Sequence, residues 1–330
     1  MIMFHTTTLF PLLIALSVGI YTPMSNDILF ELNTSEFFLQ LAITLFLVTV
    51  ALCGRYLSPF ASKLSAHKLA LASALIFITG SLLCFFSWSI KIFILGRVIQ
   101  AVGATGALTI SFSWRALALA FFLSPTIGSF MYWRSTFLLM AFLSIFALAF
   151  SFLLKEPAVK SRLRLTSIHT VTAGLGVITI VGYLSIAPYI FSDLLLVPLH
   201  QFGLYFGSPV IFYLAGLLIH RKLSIEPNLT LGTLFVATAG ITMLALYLAF
   251  GLTPISFLLP MGFAILGATL LLHKTTGGPL ALLGSIIITP LTAWGVSSPL
   301  PLAFTLIISS TTTLVCSYYA LRENESVTSE

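Results

Sequence analysis

Apolar residues come in long runs separated by short polar gaps, and the runs recur at the length a bilayer demands. Stretches such as Leu69–Trp88 and Ser135–Leu154 contain no charged residue. A water-soluble core has no use for so many of them. A membrane-spanning helix does, because it needs about 20 mostly apolar residues and satisfies its backbone polar groups internally. Charged residues and Pro, Gly and Asn clusters punctuate the chain into about twelve spans. The first six read Thr6–Ser25, Phe37–Leu57, Leu69–Trp88, Ile90–Ile110, Ala116–Met131 and Ser135–Leu154. The second six read Ile168–Phe191, Phe202–Ile219, Leu229–Phe250, Ile255–Leu272, Pro279–Val296 and Pro301–Leu321. The pattern predicts an all-α polytopic membrane protein. Ala116–Met131 is short: its residues span about 24 Å as a helix, against a hydrocarbon core of roughly 30 Å.

Charge sharpens the picture by assigning sides. Of the 330 residues 58% are hydrophobic, and only 15 are Lys or Arg and 9 Asp or Glu. With the N-terminus inside, the even-numbered loops and their flanks hold Arg55, Lys63, Lys68, Arg115, Lys155, Lys160, Arg162, Arg164, Arg221, Lys222 and Lys274, and Arg322 follows the last span. The opposite face has Lys91 and Arg134 near span ends, with Asp27, Glu31, Glu36 and Asp193. Positive loops stay inside, so both termini are expected to be cytoplasmic, in a plasma or inner membrane. Thr6–Ser25 lacks a basic leader and a small-residue cleavage site, which favours a retained span. The net charge of +6 follows the inside loops and reports topology, not nucleic-acid binding. Cys53, Cys84 and Cys316 fall in or near apolar spans and suggest neither a disulfide framework nor a metal site.

Chemistry-bearing residues inside the spans are few. Arg97 is the sharpest, because a charge near mid-helix costs about 2.5–3.5 kcal/mol to insert and should face the bundle interior with a partner. The other reading is a helix that starts later, letting Arg97 snorkel outward, which Lys91 six residues earlier permits. Gln100, three residues on, shares the Arg97 face. No Asp or Glu lies deep in any span, and Asp27 and Asp193 stand at outer ends, where they are either proton carriers or plain solvated carboxylates. His169 and His273 sit near cytoplasmic span ends, as titratable groups or as polar tips at the headgroup level. Tyr21, Tyr183 and Tyr189 flank prolines, where they can line a lipophilic cavity, and Trp88, Trp114 and Trp133 read as an interfacial belt. Pro125, Pro188, Pro209, Pro260 and Pro290 within spans favour kinks. The chain has no phosphate-cradling Gly-x-x-x-x-Gly-Lys motif, no selectivity-filter repeat and no catalytic constellation, so neither an ATP-driven pump, a channel nor an enzyme is expected, and no cofactor.

Specific stretches carry a resemblance. Tyr21-Thr-Pro, Asp27-Ile and Gln40-Leu-Ala-Ile-Thr-Leu-Phe-Leu in the first two spans, Gly80-Ser-Leu-Leu-Cys84 in the third and Leu95-Gly-Arg97-Val-Ile-Gln100-Ala-Val-Gly103-Ala in the fourth form one set. Ser124-Pro-Thr-Ile-Gly128, Trp133-Arg134, Tyr183-Leu-Ser-Ile-Ala-Pro188-Tyr and His200-Gln201-Phe202-Gly203 form the rest. Together they resemble the major facilitator superfamily, and within it the Bcr/CflA-like branch of proton-coupled drug exporters. The resemblance implies two pseudo-symmetric six-helix halves: residues 1–155, a basic cytoplasmic linker at 156–167, and residues 168–330 with a short cytoplasmic tail. It implies a monomer in the bilayer that rocks around a midplane cavity, taking a small-molecule substrate and protons. By that likeness Tyr21, Gln40, Arg97, Gln100, Tyr183 and Tyr189 line the cavity. Asp27, Asp193 and Arg97 are the coupling candidates, and Pro59, Lys63, Pro125, Gly128 and Pro188 serve gating.

Departures from the family pattern qualify this. Each half is shortened between its fourth and fifth helices, around Arg115–Pro125 and Leu272–Pro279. The loop at Ser58–His67 lacks the family's carboxylate and both glycines, and Gly19 stands where the family has its first-helix acid. The resemblance therefore implies proton-coupled efflux of lipophilic or cationic compounds. The departures leave open an uncoupled facilitator or an inactive descendant.

Overall fold

The computed structural model describes residues 16–56, 64–110, 120, 123–152, 168–223, 225–272 and 298–328. Every described element is helical. Six described helices are long and apolar enough to cross a bilayer. Pro59, Lys63, Trp114, His273 and the span expected at Pro279–Val296 lie outside the described residues, as do residues 116–119 and 121–122 of the span expected at Ala116–Met131.

The chain divides into two compact units. One comprises Met1–Leu163 with Pro198–Gly207, the other Arg164–Val197 with Ser208–Glu330. In the first unit, helical residues 16–19 break at Ile20–Tyr21, and a tight turn at Thr22–Met24 leads into α1 (Ser25–Glu31). The first expected span thus continues past Ser25. Pro23 lacks an amide donor and breaks the ladder without ending the helical course, while Thr22 Oγ1 donates to the Gly19 carbonyl at 2.8 Å. Then follow α2 (Glu36–Tyr56), α3 (Ala66–Phe85), α4 (Ile90–Ile110) and α5 (Trp133–Phe152). The start of α3 lies before the expected Leu69 because Ser65 caps it, accepting from the Lys68 amide at 3.4 Å.

The second unit holds α6 (Ile168–Tyr189) and a wide turn at Ile190–Leu194; after α7 (Leu199–Gly207), which packs with the first unit, come α8 (Val210–Lys222), α9 (Ile225–Phe250), α10 (Pro254–Leu272) and α11 (Leu300–Thr328). The single span expected over Phe202–Ile219 is two helices, interrupted at Ser208–Pro209, because proline cannot donate to the preceding turn.

Packing repeats between the units. In the first, α3 packs on α4, α2 on α4 and α3 on α5. In the second, α9 packs on α10, α8 on α10 and α9 on α11, the same pairings in the same chain order. Each unit's tightest pair meets through glycines. A Cβ on Gly80 would lie 2.7 Å from the Gly96 carbonyl, and one on Gly96 3.0 Å from the Gly80 carbonyl. Gly232 and Gly267 stand in the same reciprocal relation, at 2.9 and 2.5 Å. Helices in lipid gain their adhesion from such close approach, since apolar side chains gain nothing by leaving hydrocarbon.

Candidate functional site

The glycine seam of α3 and α4 brings polar side chains into contact in the middle of the first unit. Arg97, on α4, is wholly buried, so the outward-snorkelling alternative does not hold. Its Nη1 donates to the Ser17 carbonyl at 2.9 Å and to Gln100 Oε1. Ser17 lies in the last turn before the break at Ile20–Tyr21, and the carbonyl end of a helix favours a cation. Gln100 Nε2 donates to Ser81 Oγ at 2.8 Å, and Ser81 Oγ donates to the Phe77 carbonyl at 2.8 Å. One relay thus links the first helix, α4 and α3.

Aromatic rings box the guanidinium. Its central carbon lies 4.2 Å from the ring centroid of Phe46 on α2, 5.2 Å from Tyr21 and 6.0 Å from Phe137 on α5. Tyr21 meets Phe93 edge-on at 5.8 Å and Phe137 at 5.5 Å, and Trp133 closes the cluster on Phe93 at 6.0 Å. Each desolvated ring face under a cation contributes up to about 2 kcal/mol. That offsets the burial of a charge that no described carboxylate neutralises. Arg97 Nε and Nη2 have no hydrogen-bond partner among the described residues. The Tyr21 hydroxyl lies within electrostatic reach of the guanidinium yet makes no hydrogen bond of good geometry.

The other expected site residues fall in several places. Gln40 is buried on α2. Pro125 and Gly128 belong to a short helical stretch at 123–128, and a Cβ on Gly128 would collide with the Ile20 carbonyl at the helix break. In the second unit, Tyr183 and Tyr189 are buried, with Tyr183 stacked on Phe257 at 6.2 Å. Pro188 lies inside the last turn of α6, and the chain then widens, the Leu195 amide reaching back to the Ile190 carbonyl at 2.8 Å. Asp27 and Asp193 are exposed, and Asp193 accepts from Ser192 Oγ at 2.7 Å.

Trp133 corrects the belt assignment: it is fully buried, while Trp88 is exposed. The neighbouring Arg134 explains the difference. It donates to the Phe85 and Ser87 carbonyls at 2.8 and 2.7 Å, covers the Trp133 ring at 4.2 Å, and lies 3.5 Å from Glu31, which also accepts from the Tyr132 hydroxyl at 2.6 Å. Sequence reasoning missed Phe46, Phe93, Phe137 and Ser81 as site residues. Phe93 was findable, since it precedes Arg97 by one helical turn and shares its face.

Comparison with known proteins agrees with this architecture. The fold matches the xylose transporter XylE from E. coli in its inward-open state with a TM-score of 0.67 at 11% identity, covering 94% of each chain. It matches the partially occluded inward-open state of that transporter with a TM-score of 0.67 at 12% identity, covering 96% of this chain and 97% of the other. The chain therefore shares the fold of that transporter. In sequence, 83 residues are 32% identical to the multidrug resistance protein MdtL of Salmonella schwarzengrund. That match takes in 25% of this chain, which spans 21% of the relative's length. No family model matches the sequence.

Proposed function

We propose that this membrane protein of major facilitator fold is a secondary transporter that exports lipophilic small molecules, with residues 1–155 and 168–330 rocking about a midplane cavity. The observation that carries the reading is the buried Arg97–Gln100–Ser81 relay, set in an aromatic box within a transporter fold. The local likeness to a multidrug resistance protein supports export over uptake and drug-like compounds as substrates. The likeness to the Bcr/CflA-like branch supports proton exchange as the driving force, with Asp27 or Asp193 as the carrier and the inside-positive loops setting both termini in the cytoplasm.

Efflux of a lipophilic cationic dye, followed in cells expressing the chain with and without a proton gradient, tests this reading. Gradient-dependent efflux that disappears in Arg97→Ala is expected. A second reading, an uncoupled facilitator, is favoured by a specific observation: Gly19 replaces the family acid, and no described carboxylate touches Arg97. Flux that survives collapse of the gradient establishes the facilitator. An inserted protein with no flux of any probe counts against transport.

A further inference from the structure

We propose that the unpartnered edge of Arg97 is an anion-binding site, and that the substrates of the proposed transporter include aromatic organic anions such as sulfonates and carboxylates. Both hydrogen bonds of Arg97 leave from Nη1, to the Ser17 carbonyl and to Gln100. Nε and Nη2 are buried without partners among the described residues. Those two N–H groups lie side by side along one edge of the planar guanidinium, the parallel fork that holds two oxygens of a carboxylate, sulfonate or phosphate at once. An arginine kept only for packing would direct this fork at protein carbonyls, because buried unmet donors are costly.

Charge points the same way. The acids of the first unit with described side chains, Asp27, Glu31 and Glu36, are exposed or only half-buried, and none contacts Arg97. Among the described residues nothing neutralises this positive charge, and its low-dielectric setting favours an anion beside it. The faces of Phe46, Tyr21 and Phe137 around the guanidinium suit an aromatic ring attached to that anion. The box is closed over Arg97 in this state, so the anion enters as the rings move aside.

The substrate half of this inference rests on the transport reading; the binding half does not, and the two are measured separately. Full-length protein in detergent is titrated calorimetrically with benzenesulfonate, whose charge is fixed, and with neutral benzenesulfonamide. Binding of the sulfonate at least ten-fold tighter than the sulfonamide is expected. Gln100→Glu sets a near-isosteric carboxylate against Arg97 and should weaken the sulfonate at least ten-fold while leaving the thermal transition unchanged or raised. Arg97→Lys keeps the charge without the fork and should weaken it several-fold. Equal binding of the two probes, or sulfonate binding untouched by Gln100→Glu, overturns the site. In proteoliposomes, benzenesulfonate flux lost in Gln100→Glu is expected. Dye flux without sulfonate flux overturns the substrate assignment alone, and absence of flux for both, with binding intact, overturns the transport reading instead.

Discussion

A guanidinium held against three aromatic faces and a helix C-terminus is stabilised piecemeal, and the pieces can be removed one at a time. Phe46 is the nearest ring, at 4.2 Å. Phe46→Leu keeps most of the volume and removes the π face, so a loss of about 1–2 kcal/mol is expected, read as a lower thermal transition in detergent. The outer cluster behaves differently. Glu31 and Arg134 pair at 3.5 Å while partly exposed to solvent, so Glu31→Gln should change stability by less than about 1 kcal/mol. Arg134→Ala should cost about 2 kcal/mol, because the Phe85 and Ser87 carbonyls lose their donor. Residues of this kind divide into those visible in the sequence and those not. Arg97 with Gln100 was visible, since a charged residue and an amide one turn apart in an apolar run must meet or be expensive. The ring box was not, because Phe46 and Phe137 are two among 29 phenylalanines, and nothing local separates a ring facing a cation from one facing lipid. Trp133 was misread for a related reason. A tryptophan at a span end has the same local pattern whether the headgroups or a neighbouring Arg134 covers it.

Element boundaries follow capping and proline chemistry more closely than hydropathy. The expected Ile90–Ile110 is found unchanged as α4, whereas α3 begins early at the Ser65 cap and the span expected at Phe202–Ile219 breaks at Pro209. Composition alone could not show those offsets, because a polar cap adds no apolar length and a proline removes none. The glycine seams are the elements' strongest constraint. Gly80→Leu should drive α3 from α4, and Gly267→Leu α10 from α9; each is expected to cost at least 1–3 kcal/mol, by the overpacking such contacts impose. Loss of the monodisperse peak in size-exclusion chromatography checks both. Gly251 provides the contrast: its φ is +69° and a Cβ there would touch nothing within 4 Å. Gly251→Ala therefore pays only backbone strain, about 1 kcal/mol, and should elute normally.

Across the whole molecule the chain does not sort cleanly at its linker. Pro198–Gly207 packs with the first unit although it follows α6, and Thr126 Oγ1 donates to the Gly203 carbonyl at 3.0 Å. A Cβ on Gly203 would come within 2.9 Å of Thr126. Fragments 1–163 and 164–330, expressed together, are therefore expected to copurify, and Gly203→Leu to reduce the recovered pair; independent elution of the fragments would count against this arrangement. The repeat of three helix pairings in each unit was implied by the family resemblance and is visible in no local stretch, because it lies in which helices touch, not in what they contain. The seam between α3 and α4 also bears on how the protein is made. Residues 90–110 carry both Lys91 and Arg97, so this helix partitions poorly into lipid by itself. Its partner at 66–85 is almost wholly apolar, and only four residues separate the two. During synthesis the arginine-bearing helix is therefore expected to enter the bilayer as the second arm of a hairpin with the arm before it, its charge shielded from lipid once Gly80 and Gly96 have met.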